Sequence, residues 1–310
     1  MPSELPPAEL PAPWPDAWAL CRAIYPQAGW TALRRRWRLA WCFWRHRSIH
    51  RRLRQGPAEM AQDWGALAAA QPRLFRKPYL GYPCAGWEVE QRLAHLLTHH
   101  RLARERLGVR VWRRVCLDLL SQPLSPLSLP KGQGALSLRL HTLTRFEREG
   151  DLSLLLVDPF GTVLYTLTFS FEATPAGAGL LIGAMHGQLP VEVARHLTRL
   201  SHGLRPQNLL LWALQQLAAC WGLAQLRAVG QARHALHGSE RAARVLLDYD
   251  GLWSSAGGVC GSDGFWTLPA VPRRKPVQDI PSHKRAQYQR RYAWLDELAS
   301  DLRAAWSAAC

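Results

Sequence analysis

His202-Gly203-Leu204-Arg205-Pro206 sets an imidazole, a glycine and a guanidinium directly before residues 206–221, where Leu210, Leu214, Leu217 and Trp221 form one apolar helical stripe. Pro206 suits the first turn of that helix, and Gly222 ends it. Backbone amides at a helix start, a glycine that permits close approach and a cationic side chain together suit a phosphate. A coenzyme A thioester would supply such a phosphate, and acyl transfer from it needs a general base nearby. The titratable candidates are His202, nearest in sequence, and His186, Glu149, Asp248 and Asp250. His202 has a plainer role open to it, bonding a carbonyl at the helix start. Asp248 and Asp250, one residue apart, share a side if extended and would then pair with arginine. No Ser/His/Asp or Cys/His arrangement, P-loop or G-x-G-x-x-G accompanies them.

Further anion-binding candidates join Gly203 and Arg205 near the C-terminus. Arg273, Arg274, Lys284, Arg285, Arg290 and Arg291 precede or open a segment in which Tyr288, Tyr292, Leu295, Ala299, Leu302 and Trp306 recur at helical spacing. Cations at a helix start oppose its dipole, so an anion seated there would satisfy both; a solvated surface run is the alternative. A third basic stretch, Thr31 to Gly56, holds nine Arg and no acid, interleaved with Trp37, Trp41, Phe43 and Trp44. Its aromatics either meet a partner or, in the simpler packing, turn inward while the arginines stay solvated. His95, His99 and His100 fall on a helical pattern over 86–107 and are expected on its polar face. His95 and His99 are four apart, but no carboxylate or Cys stands at a supporting spacing, so no metal is assigned.

These residues belong to a chain of 310 residues, 48% apolar, with a formal charge of +16. Residues 1–150 carry 24 Lys and Arg against 11 Asp and Glu, a net of +13, which leaves +3 for the rest. The balance favours a polyanionic partner: a phosphorylated small molecule, anionic lipid or nucleic acid. No helix-turn-helix, zinc-finger or RNP pattern supports sequence-specific reading. The longest apolar stretch, Leu209 to Trp221, is broken by Gln215 and Gln216 and is too short to span a bilayer, so membrane association would be peripheral. Seven scattered cysteines without a C-x-x-C pair, and a start lacking signal-peptide character, predict a cytoplasmic protein.

Alternating or apolar runs at 136–144, 152–158, 162–171 and 179–185 predict a β-meander, with Asp158-Pro159-Phe160-Gly161 as a hairpin turn. The 206–221 helix and a strand at 224–230 follow, while Asp248-Tyr249-Asp250 and Gly257 to Gly264 are expected as loops. The fold class is therefore α+β, a mainly antiparallel sheet of meander plus a further strand, with packed helices. Meander, helix, strand is also an acetyltransferase-like order, but the Arg/Gln-x-x-Gly-x-Gly/Ala loop of that fold is missing and about twenty residues intervene before the helix. The expected organisation is an extended Pro-rich tail (1–20), a basic helical region (21–122), the α+β core (123–275) and a basic amphipathic helix (276–310). Residues 21–310 are expected to form one cooperative unit.

Several blocks together resemble the VirK/YbjX family. They are Arg148-Glu149-Gly150-Asp151-Leu152, Ile182-Gly183-Ala184-Met185-His186-Gly187-Gln188, His202-Gly203-Leu204-Arg205-Pro206, and Asp248-Tyr249-Asp250 with Leu252-Trp253. They continue in Gly264-Phe265-Trp266-Thr267-Leu268-Pro269 and Ser282-His283-Lys284-Arg285-Ala286-Gln287-Tyr288-Gln289-Arg290-Arg291, so that the similarity covers about residues 70 to 295. The resemblance implies a cytoplasmic protein of Gram-negative bacteria linked to virulence, antimicrobial-peptide resistance and envelope or stress responses. It implies no catalytic residues. The expected activity is acyl-CoA-dependent acyl transfer; the alternatives are a nucleic-acid-binding or DNA-damage and stress-response protein without catalysis, and a peripheral membrane adaptor that binds anionic lipid.

Overall fold

Pro26 and Gly29, the latter with φ +101°, interrupt the helical pattern that begins near Trp18, so the first quarter of the chain folds as several helices instead of one. The computed structural model describes residues 16–129, 135–187, 189–238 and 247–309. The chain forms two compact units, one ending at Arg76 and one beginning at Lys77.

The first unit contains α1 (Ala17–Ile24), α2 (Trp30–Arg45), α3 (Arg47–Gln55) and α4 (Ala61–Ala70). Asp16 caps α1 by accepting from the Ala19 amide at 2.5 Å. Aliphatic and aromatic side chains supply the core: Ala32, Leu39 and Phe43 of α2 and Ile49 and Leu53 of α3 are buried, and Trp64 of α4, buried as well, donates its indole N–H to the Leu53 carbonyl at 2.8 Å. The tryptophans of α2 do not turn inward. Trp37, Trp41 and Trp44 are exposed and Phe43 alone of that aromatic set is buried, because α2 carries two apolar stripes and the Ala32–Leu39–Phe43 stripe takes the core.

The second unit opens with α5 (Val89–Trp112), started by a capping box between Glu88 and Gln91. Strands β1 (Gln122–Ser128), β2 (Ala135–His141), β3 (Leu152–Val157), β4 (Val163–Thr174) and β5 (Gly177–Gly187) then run as an antiparallel meander. Asp158 closes the β3–β4 turn by accepting from the Phe160 and Thr162 amides, at 2.9 and 2.7 Å. After β5 the chain forms α6 (Val191–Leu200), α7 (Pro206–Cys220), β6 (Gln225–Val229), α8 (Tyr249–Ser255), β7 (Val259–Cys260), β8 (Phe265–Leu268) and α9 (Arg285–Ala309). Among the described residues these strands make one eight-stranded sheet in the order β1-β2-β3-β4-β5-β6-β8-β7. The α+β class is thus as expected, with two corrections. Asp248-Tyr249-Asp250 opens a helix, since the Asp248 carboxylate caps the Gly251 amide at 2.9 Å, and the glycine-rich loop carries the β7–β8 hairpin.

Both α5 and α7 pack on β4, whose residues from Leu164 to Glu172 are all buried, so the sheet centre is covered on both faces. α9 packs along α7 and β1, and Trp294 ties it to the Ser128 carbonyl at 3.0 Å.

The only parallel pair among the described strands is β5–β6, and the two-helix connection through α6 and α7 makes it possible. Its register runs from Gly179–Gln225 to Ile182–Ala228; β5 then continues to Gly187 while β6 stops at Val229. Gly183 sits at a break in the β4–β5 register, and a Cβ there would lie 1.7 Å from the Glu149 carbonyl oxygen. The bare backbone at Gly183 therefore lets the Glu149 segment cross over β5.

Candidate functional site

The N-terminal turns of α7 and α8 line a cleft of about 950 Å³, closed by residues 272–276 and the first half of α9. It brings together Gly203, Arg205, Asp248, Arg273, Arg274 and Arg291 from the sequence candidates. Trp212, Tyr288 and Tyr292 add aromatic walls, and Asn208, Ser254 and Ser255 add polar ones. Arg205 occupies the N-cap of α7 and is exposed. The first-turn amides of Gln207 and Asn208 have no carbonyl one turn back to bond, as at any helix start.

Two of the other cations of the cleft, Arg274 and Arg291, are held by neighbours. Arg274 pairs with Asp296 through both guanidinium nitrogens and lies over the Tyr292 ring, 5.0 Å from its centroid. Arg291 donates to the His202 carbonyl from Nε (3.0 Å) and Nη2 (2.8 Å) and stacks over Tyr288 at 4.3 Å. Gly203, at φ +79°, admits α9: a Cβ there would come within 2.6 Å of Gln287 and 2.9 Å of Arg291. Arg285 bonds the Ile280 carbonyl at 3.2 Å, and Lys284 and Arg290 are exposed.

A titratable cluster forms where β5 outruns β6. Glu149 Oε2 lies 2.6 Å from His186 Nε2, and Oε1 lies 3.8 Å from His234 Nε2. The carboxylate is buried, with its side chain 5% exposed, while the His186 side chain is 27% exposed and stacks on Phe146 at 4.0 Å. With the carboxylate as acceptor, His186 carries its proton on Nε2 and leaves Nδ1 as a base. His234 Nδ1 accepts the Leu236 amide at 3.2 Å, so its Nε2–H points toward Glu149; burial holds its pKa below the usual histidine range. Tyr249 joins this cluster to the cleft: its ring stacks on His234 at 5.1 Å, its hydroxyl donates to the Met185 carbonyl at 3.2 Å, and Asp248 beside it lines the cleft.

Two residues along from Glu149, Asp151 anchors a buried network. Lys77 donates to Oδ1 at 2.6 Å, while Tyr82 and Ser170 donate to Oδ2 at 2.5 and 2.7 Å. Burial alone would raise this carboxyl, but the Lys77 ammonium, the neighbouring His99 and His100 and the Lys77 hydrogen bond together outweigh burial and hold it well below the usual carboxylate range. His99, His100 and Asp151 present ligand atoms within 4.8 Å of one another. A metal there would face the Lys77 ammonium across one carboxylate oxygen, so the group is better suited to holding the α5–β4 junction. His99 Nδ1 accordingly accepts the Phe171 amide at 2.9 Å.

The family described as "Protein of unknown function (DUF535)" matches residues 28–304. The chain belongs to the DUF535 family. This is the family that the VirK/YbjX resemblance pointed to. "Uncharacterized protein YbjX" of Escherichia coli (strain K12) is 29% identical over 238 residues, 75% of this chain and 72% of that protein. An "Uncharacterized protein" of Haemophilus influenzae (strain ATCC 51907 / DSM 11121 / KW20 / Rd) is 29% identical over 222 residues, 70% of this chain and 72% of its own length. No solved structure matches the chain.

In this DUF535 protein the sequence candidates therefore separate. Glu149 and His186 meet, and Gly203, Arg205, Asp248, Arg273, Arg274 and Arg291 share the cleft. His202 gives its carbonyl to Arg291, and its ring stands edge-on to Trp294. Asp250 accepts from the Gln231 amide (3.1 Å) and the Trp266 indole (2.8 Å), with no arginine involved, and so latches α8 to the β6 and β8 ends. Lys77, Tyr82, Ser170, His234 and Tyr249 were not picked out from sequence; Asp151 and Tyr249 do stand inside the quoted family blocks, the one available signal for them. Among the described residues no helix is long and apolar enough to cross a membrane.

His95, His99 and His100 are buried and not on a polar face, because α5 is enclosed more widely than its leucine stripe suggests. Burial pushes His95 and His100 down to about 4 and His99 further in the same direction. An unfolded histidine takes up its proton near pH 6.5, so the unfolded state binds more protons than the native state below that pH. Stability is fully present above about pH 6.5 and falls as pH drops toward 4; the Asp151 contribution is lost later, below the unfolded carboxyl value near 3.9. The melting temperature measured from pH 8 to 4 should hold level and then decline below about 6.5; a level curve down to pH 4.5 would contradict the assignment of these histidines as neutral.

Proposed function

We propose that this DUF535 protein transfers an acyl group from a coenzyme A thioester to an amine or hydroxyl acceptor. The supporting observation is the position of the basic cleft, at the α7 and α8 starts just beyond the carboxyl ends of the parallel β5–β6 pair. Crevices at that place in open sheets are where ligands with phosphate groups bind, and about 950 Å³ suits one of this size. The meander, helix, parallel-strand order is acetyltransferase-like, and α6 occupies the stretch that departs from that pattern in sequence.

When bound, the thioester supplies an acyl carbonyl activated toward nucleophiles. Arg205, Arg273 and the α7 amides hold the phosphates, and the base lies against the Tyr288 and Tyr292 rings on the sides that Arg291 and Arg274 leave open. As the new C–N or C–O bond forms and the thioester C–S bond breaks, His186 takes the proton that the acceptor gives up and passes it to the departing coenzyme A thiolate, with Glu149 orienting the ring. We place the base here and not at His202, because Glu149 gives His186 an orienting partner of the kind such bases require. Acylation of envelope components would connect this chemistry with the virulence and peptide-resistance links that the resemblance implies.

Coenzyme A and acetyl-coenzyme A should raise the melting temperature of the full chain, whereas Arg205→Ala should weaken binding by roughly ten- to a hundredfold, the usual worth of a charged hydrogen bond. No shift with either ligand, or an equal shift in the variant, would remove the basis for this reading.

A further inference from the structure

The outward face of α2 has no place in the cleft chemistry. Trp30, Trp37, Trp41 and Trp44 are 77%, 64%, 57% and 72% exposed. Their spacings of 7, 4 and 3 put all four within about 60° of one another around the helix, a straight row roughly 20 Å long. Monomeric proteins rarely leave such an apolar row open, and where they do it marks an interaction surface. Arg34, Arg38 and Arg45 project beside the row and are exposed, and no acidic side chain occurs between Thr31 and Gly56. The opposite stripe, Ala32, Leu39 and Phe43, already fills the core of this unit, so the tryptophan row is not a core face awaiting closure.

We infer that this face docks the protein on an anionic lipid bilayer, with α2 lying in the plane of the interface. Indole rings settle at the headgroup level, where one edge is apolar and the other wet, and the flanking guanidinium groups meet lipid phosphates. The charge excludes a second copy of the same face as the partner. The row lies along the outer side of one helix with its rings exposed, Trp37 beside the Trp18 ring at 5.1 Å, which suits a flat bilayer; a nucleic-acid strand would need a groove to follow its backbone between stacked bases. The inference uses the first unit alone and stands or falls independently of the acyl-transfer reading.

Co-sedimentation of the full chain with vesicles tests it, using phosphatidylcholine alone and phosphatidylcholine with about one-third phosphatidylglycerol, at low and high salt. Binding is expected only to the mixed vesicles at low salt. Combined Arg34→Gln, Arg38→Gln and Arg45→Gln should lower the partition coefficient on the order of a hundredfold, at about fivefold per arginine near an anionic surface. Combined Trp37→Ala, Trp41→Ala and Trp44→Ala should lower it by roughly tenfold or more, because interfacial binding scales with the apolar area inserted. Lipids brominated near the headgroup should quench the fluorescence of the wild type more than that of the tryptophan variant. Unchanged melting temperatures show that each variant is folded, as exposed positions allow; the single variant Trp41→Ala gives a milder test of the same row. Absence of binding to mixed vesicles would overturn the inference, as would full binding by the tryptophan variant. So would a single-stranded oligonucleotide that displaces the protein from vesicles and loses its own binding in both variants.

Discussion

Asp151→Ala should destabilise the second unit by about 3–5 kcal/mol, the cost of breaking a buried ion pair from one side. The carboxylate is the common acceptor for Lys77, Tyr82 and Ser170, and removing it strands an ammonium that is almost wholly buried together with two hydroxyls. A domain of this kind has only about 5–15 kcal/mol to lose, so the native state would be marginal at 37 °C. Urea unfolding of wild type and variant gives the difference directly. A change under about 1 kcal/mol would mean that Lys77 finds other partners, contrary to its burial. Replacing both members, Lys77→Met with Asp151→Leu, should restore part of the loss because no charge is then left unpaired.

If the proposed reaction holds, His186→Ala should reduce kcat by about 10²–10⁴-fold while coenzyme A binds as before, since in that scheme the imidazole moves a proton and does not touch the phosphates. In the proposed reaction Glu149 acts through His186 as a positioning residue, so Glu149→Gln should lower kcat with little change in KM for the thioester. Added imidazole should partly rescue His186→Gly, an outcome that a purely structural histidine would not give. Equal losses in kcat and in thioester affinity for these variants would place them in binding and not in proton transfer.

The strands were legible because each carries its own signal. Leu136, Leu138 and Leu140 alternate with polar residues, and Leu152–Val157 is apolar at every position but Ser153 and is buried throughout. The α7 start was equally plain from Pro206. Periodicity could not say which stripe of α2 faces inward, because both Ala32–Leu39–Phe43 and Trp37–Trp41–Trp44 repeat at helical spacing; the smaller side chains win the core since they let neighbouring helices approach. The short α8 hid behind Asp248-Tyr249-Asp250, whose capping aspartate looks like turn chemistry when only seven helical residues follow.

The site was half legible for a related reason. Gly203, Arg205 and Pro206 fall within four consecutive residues and are therefore visible. Glu149 and His186 were each candidates, but their pairing depends on Gly183 letting one segment cross another 34 residues away. The partners of Asp151 come from positions 77, 82 and 170, and no local pattern links them.

Hydrogen–deuterium exchange of the full chain with and without saturating coenzyme A tests the central assignment most directly. Protection should appear at the α7 start around 206–212, in α8 around 249–256 and in the 272–276 segment, the three elements that wall the cleft. Protection confined to other parts of the chain, or none at saturation, would contradict the placement of the thioester in this cleft.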